Sequence, residues 1–187
     1  CVEIMVYFDN AATTYPKPPS VARAMTKCIK EYCGNPGRSA HPLALRSAEA
    51  VFDTRSEICA LFGTGKQENV IFCYNATHAI NKVLSGLVRP GDGVITTNIE
   101  HNSVRRPVAA LCALRGASYD MVNALLPEEE LIAEIESKIT SRTRIVAALH
   151  ASNVCSVVLP VRRIGELCKK HGLIYVLDAS QSAGIYD

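Results

Sequence analysis

The sequence predicts an α/β fold, a mostly parallel open sheet flanked by helices. From residue 70 onward, short apolar runs of strand length alternate with longer segments of helical period. Those runs lack apolar/polar alternation, the pattern of strands covered on both faces, and such strands belong to parallel sheets between helix layers. The chain has 187 residues, 48% hydrophobic and 20% charged, which suits one well-buried globular body.

The first third reads as helical. Pro18-Pro19-Ser20 precedes an amphipathic run to about Tyr32, and Gly34-Asn35-Pro36-Gly37 breaks it. A longer helix runs from about Leu43 to Phe62 and ends at Gly63 and Gly65. Strands are expected at Val70–Cys73, Val94–Thr97, Ser118–Val122, Ile145–Leu149 and Leu173–Leu177. Helices are expected between them, at about Thr77–Leu87, Val104–Arg115, Glu128–Lys138 and Val161–Lys170. The pattern does not fix strand order. The expected organisation is an N-terminal helical segment, about 1–66, followed by an α/β domain over about 67–187. There are no repeats and no linker-like runs.

Composition excludes several classes. A net charge of +2 with dispersed Lys and Arg gives no footprint for nucleic acid or for an anionic membrane. No apolar run approaches the length of a membrane span, and the start lacks the basic and apolar regions of a signal peptide. A cytoplasmic location is expected. Eight cysteines, at 1, 28, 33, 59, 73, 112, 155 and 168, form no CxxC pair. They are expected to be reduced and mostly buried, and no metal site is expected.

Four strand-to-helix junctions, after residues 73, 97, 149 and 177, put polar groups on one edge of the expected sheet, where α/β proteins bind ligands. After Cys73 comes Tyr-Asn75-Ala76-Thr77-His78, where free helix amides and a hydroxyl form either a phosphate cup or a plain threonine cap. Glu100-His101-Asn-Ser103 offers an imidazole that stacks on an aromatic cofactor and moves protons, or a solvated loop histidine. His150-Ala-Ser-Asn153 offers an amide donor for a phenolate oxygen, although loop asparagines are common. Leu173-Ile-Tyr-Val-Leu-Asp178-Ala-Ser-Gln181 delivers a carboxylate and an amide. The carboxylate suits the protonated ring nitrogen of pyridoxal phosphate, and a helix cap or a magnesium ligand is the alternative. There is no GxxxxGK[ST] and no GxGxxG, which disfavours nucleotide sites.

With these segments stand Tyr7-Phe-Asp-Asn-Ala-Ala-Thr-Thr14, Gly34-Asn-Pro-Gly-Arg-Ser-Ala-His41 and the final Asp178-Ala-Ser-Gln-Ser-Ala-Gly184. In this combination the chain resembles the N-terminal part of the cysteine desulfurase and selenocysteine lyase family, in the class V aminotransferase branch of fold-type I pyridoxal-phosphate enzymes. The resemblance implies pyridoxal 5'-phosphate as cofactor, held by Ala76 and Thr77 at its phosphate. It implies His101 stacked on the ring as a catalytic group, Asn153 and Gln181 at the ring oxygen, and Asp178 at the ring nitrogen. Ala12, Arg38 and His41 fall in segments that line the family's substrate entrance. Asn75 and His78 depart from the glycine and acidic residue that often flank the phosphate turn.

The implied reaction removes sulfur from L-cysteine, giving alanine and an enzyme persulfide, with L-selenocysteine as the related substrate. A sulfur-acceptor protein and a second copy of the chain are the implied partners. The family's cofactor-binding lysine and sulfur-accepting cysteine lie further along than Asp187, and none of the eight lysines here sits in a matching context. The chain as given is therefore expected to be inactive alone. A class V aminotransferase is the alternative, and a catalytically silent α/β fragment is a third reading.

Overall fold

A computed structural model describes residues 6–38 and 40–186. Cys1, the rest of the opening stretch to Met5, Ser39 and Asp187 lie outside the described residues. The chain divides into two compact units, Cys1–Phe72 and Cys73–Asp187.

The first unit contains α1 (Pro19–Glu31), α2 (Pro42–Phe62) and a 3-10 turn at Gln67–Asn69. Both helices begin with proline, whose fixed φ suits a first helical position. His41 caps α2 by accepting the Ala44 N–H on Nδ1 at 3.3 Å. Gly63 ends α2 in the left-handed region at φ 63°, and its N–H returns to the Cys59 carbonyl. Gly34 is required by close approach, since a Cβ there would lie 2.8 Å from the Leu43 carbonyl carbon. Ser47 Oγ secures this corner, taking the Gly34 N–H at 3.2 Å and donating to the Tyr32 carbonyl at 2.5 Å. The apolar stripe of α1 buries none of its residues.

The second unit runs α3 (Ala76–Leu87), β1 (Gly93–Thr97), α4 (Asn102–Arg115), β2 (Ser118–Val122), α5 (Glu128–Ser137), β3 (Thr143–Leu149), α6 (Val161–Lys170) and β4 (Ile174–Asp178). Its sheet has the order β2-β1-β3-β4, every pair parallel. All four strands therefore end at the same edge. Successive side chains alternate between two cores, as the pleat demands. Val94, Ile145 and Ala147 pack with Ile80 and Leu84 of α3 and Val104 and Val108 of α4. Ile95, Val146 and Ala148 pack with Leu131 and Ile135 of α5 and Ile164 and Leu167 of α6. Arg163 joins α6 to Glu128 and Glu129 of α5, and Lys170 and His171 meet Glu136 at its other end. Among the described residues no helix is long and apolar enough to cross a membrane.

The structure corrects two expectations. Val70–Cys73 forms no strand, because a strand exists only through a ladder with a neighbour and no described residue supplies one. Ile71 is left 74% exposed and Phe72 49%. Cover on both faces holds for β1 and for all but the first residues of β3, but in β2 only Val122 is buried. Among the described residues β2 and β4 are edge strands with a single neighbour each, and β4 is mostly half-buried.

Candidate functional site

Because β1, β3 and β4 run parallel, the segments that follow them meet at one edge, and they carry His101, Asn153 and Asp178. The Ala76-Thr77 turn arrives by a different route than expected. No strand ends before it; instead α3 packs along α4 through Leu84 and Val108, both 0% exposed. The beginnings of the two helices thereby share one cleft of about 390 Å3. Thr77 and Asn81 line it from α3, and His101, Asn102, Ser103 and Arg106 from α4.

Each first turn has its own logic. Asn75 Oδ1 caps α3 by accepting the His78 N–H at 2.8 Å. Ala76 and Thr77 are exposed on that turn, where helix amides have no partner within the helix. The His78 ring stacks on Tyr74 with centroids 5.1 Å apart and accepts the Tyr74 N–H at 3.4 Å. This departure from the family pattern thus has a local structural job. His101 caps α4: its Nδ1 accepts the Ser103 N–H at 3.1 Å and lies 2.7 Å from Ser103 Oγ. An accepting Nδ1 assigns the neutral ring's proton to Nε2. The ring is exposed.

After β3 the chain makes a small hairpin, with Ala151 bridged to Val158 and Ser152 N–H bonded to the Val157 carbonyl at 3.0 Å. Asn153 is exposed near its tip. After β4, Asp178 Oδ1 accepts both the N–H and the hydroxyl of Ser180, at 3.0 and 2.5 Å. Those bonds orient the carboxylate. Gln181 is half-buried in the turn that follows, closed by the Ser182 N–H on the Ala179 carbonyl at 3.1 Å. Ala12 and Arg38 are exposed, and His41 is the α2 cap; all three belong to the first unit.

One residue of this edge had no assigned role in the sequence. Glu100 is 5% exposed, and its Oε1 accepts the Thr97 hydroxyl at 2.5 Å and the Leu149 N–H at 3.1 Å. Its Oε2 is buried without a partner. Burial, assisted by the nearby Asp178 carboxylate, pushes its pKa up to about 7. Its position directly before His101 was the available signal, but nothing in a sequence distinguishes a buried glutamate from a solvated one. Arg106 was also missed, as one of many dispersed arginines.

The cysteines are less uniformly buried than expected. Of the seven described, Cys59, Cys112 and Cys168 are buried, Cys28 and Cys73 half-buried, and Cys33 and Cys155 exposed. Burial pushes the Cys168 thiol up to about 11 and raises Cys112, so neither is a thiolate near neutral pH. Among the described residues no group of three His, Cys, Asp or Glu is placed to hold a metal.

This donor set fits pyridoxal phosphate. Two helix N-termini and Arg106 border one cleft of a kind that suits an anion, an exposed imidazole borders the same cleft, and a carboxylate oriented by Ser180 stands on the shared edge.

The family model for class-V aminotransferases matches residues 6–186. A probable cysteine desulfurase of Methanothermobacter thermautotrophicus is 37% identical over 183 residues, covering 96% of this chain and 44% of that protein. The cysteine desulfurase IscS of Proteus mirabilis is 31% identical over 191 residues, covering 98% and 46%. Among solved structures, the apo cysteine desulfurase of Thermococcus onnurineus superposes with a TM-score of 0.86 at 31% identity, over 96% of this chain and 45% of that one. The chain spans less than half the length of these relatives.

Proposed function

The chain belongs to the class-V aminotransferase family, and on that premise we propose that it is the N-terminal, cofactor-binding portion of a pyridoxal-phosphate-dependent cysteine desulfurase. The observation that carries the reading is the shared cleft, which brings Thr77 and His101 together at the start of two helices. The relatives' names and the superposition support the same activity.

Bound pyridoxal phosphate supplies an electron sink. The amides of Ala76 and Thr77 with the Thr77 hydroxyl would hold its phosphate, and Arg106 would add positive charge from the other helix of the cleft. Asp178 would keep the ring nitrogen protonated, and Asn153 and Gln181 would hold the ring oxygen. His101 would stack on the ring, where its Nε2–H could give and take a proton while its Nδ1 keeps the helix capped. Ala12, Arg38 and His41 serve the substrate side. The substrate is L-cysteine, with L-selenocysteine as the related case. The products are alanine and sulfur held as an enzyme persulfide, which an acceptor protein would collect for iron-sulfur cluster assembly. The whole protein works as a cytoplasmic homodimer.

The test is to incubate the full-length protein that carries this chain with pyridoxal phosphate, a reductant and L-cysteine, with parallel reactions that add a keto acid or replace cysteine by L-selenocysteine, and to measure alanine, sulfide and the amino product of the keto acid. Stoichiometric alanine and sulfide are expected. Amino transfer to a keto acid without sulfide would replace the reading by a class V aminotransferase, and turnover of selenocysteine alone would make it a selenocysteine lyase.

A further inference from the structure

We propose that Glu100 is a positioning residue that works as a neutral, proton-bearing carboxyl, tying the His101 turn to the end of β3 and leaving the negative charge of this edge to Asp178. The geometry requires most of this. Oε1 accepts from Thr97, at the end of β1, and from the amide of Leu149, the last residue of β3. The next residue in the chain is His101, whose Nδ1 caps α4. Leu149 is in turn the register partner of Asp178 on β4. One carboxyl oxygen thus fixes three pieces of the edge: the start of α4, the end of β3 and, through the ladder, the root of Asp178.

Oε1 already receives two donors, so a proton on this group belongs on Oε2. That oxygen is buried and unpartnered. An ionised Glu100 would hold a bare negative oxygen in a dry place beside a second carboxylate, and the neutral form removes most of that cost. The Thr97 hydroxyl of β1 and the Leu149 amide of β3 donate to Oε1 and favour the charged form, but burial outweighs them. β4 contributes Asp178 and Tyr175, whose phenol is buried without a partner and raised by burial, by Cys168 of α6 and by Glu100 itself. None of these is a cation.

The consequence is a definite dependence on pH. The carboxyl titrates at its ordinary 4.5 when unfolded and at about 7 when folded. The folded chain then holds one proton more between those values, so stability falls as pH rises from 4.5 to about 7 and levels off above. The folded-to-unfolded ratio is expected to drop by roughly 300-fold across that window from this group alone. The clause about Asp178 rests on the proposed cofactor reading. The proton on Glu100 does not, because the measurement needs neither cofactor nor substrate.

Denaturant unfolding of the cofactor-free full-length protein that carries this chain, from pH 4 to 9, tests it, comparing wild type, Glu100→Gln and Glu100→Ala. An amide keeps an acceptor for Thr97 and Leu149 and places N–H where the proton sits, so Glu100→Gln should match wild type at low pH and exceed it above pH 7. Glu100→Ala should be weaker at every pH. A glutamine variant as weak as the alanine variant, or one that retains the wild-type pH slope, overturns the proposal. Carbon NMR of the same full-length protein labelled at the glutamate carboxyls provides a readout independent of unfolding. One resonance that titrates near neutral pH and vanishes in Glu100→Gln supports it, and titration of Glu100 in the ordinary carboxylate range overturns it.

Discussion

Asp178 commits Oδ1 to Ser180, which makes its proposed cofactor role separable from its structural one. Asparagine can still accept the Ser180 bonds but carries no charge for a ring nitrogen. Asp178→Asn in the full-length protein is expected to fold normally and to lose about 100- to 1,000-fold in turnover, the usual scale for one oriented electrostatic partner. Turnover like wild type would reduce Asp178 to a turn residue. His101 can be dissected likewise, since it is both ring and cap. Asparagine is a good N-cap and alanine a poor one, so His101→Ala should cost α4 about 1 kcal/mol, measured by denaturation, while His101→Asn should cost little. Both should lose turnover if the ring does chemistry. Retained activity in the asparagine variant would leave His101 as a cap only.

At the scale of elements, the cleft depends on α3 lying along α4, and Leu84 is at the centre of that contact with 0% exposure. Leu84→Ala is expected to cost about 2–5 kcal/mol in denaturant unfolding, by lost transfer energy and the cavity left behind. Its effect should reach the cofactor, because Thr77 and His101 stand on the two helices that Leu84 joins. Weakened retention of pyridoxal phosphate by the full-length variant, with Thr77 and His101 untouched, is the expected outcome. Unchanged retention would show that the helix starts are held apart from this packing. The helices themselves were readable from sequence because their punctuation is local: Pro19, Pro42 and Gly63 act within a turn of where they sit. The Val70–Cys73 run shows the opposite case. Its apolar residues have strand propensity, but a ladder partner is a long-range fact.

For the whole molecule, the apolar surface left open is large. Phe8 and Tyr74 are each 93% exposed, and Leu114 is 81% exposed. Among the described residues nothing pairs with the outer edges of β2 and β4. Surfaces of this kind associate. The 187-residue chain alone is expected to self-associate at micromolar concentration, as light scattering would register. A monodisperse monomer would show that these apolar groups are tolerated singly.

The sequence by itself determined the α/β class, eight of the element positions in the second unit, and the residue types of the edge: Thr77, His101, Asn153, Asp178 and Gln181. These follow from local signals, namely period, punctuation and polar groups placed just after apolar runs. Tertiary structure alone decided the order β2-β1-β3-β4, the meeting of α3 with α4 that replaces a strand end as the support of Thr77, and the burial of Glu100. Each of these depends on contacts between residues far apart in the chain, and burial is what turns an ordinary glutamate into a group that holds its proton to about pH 7.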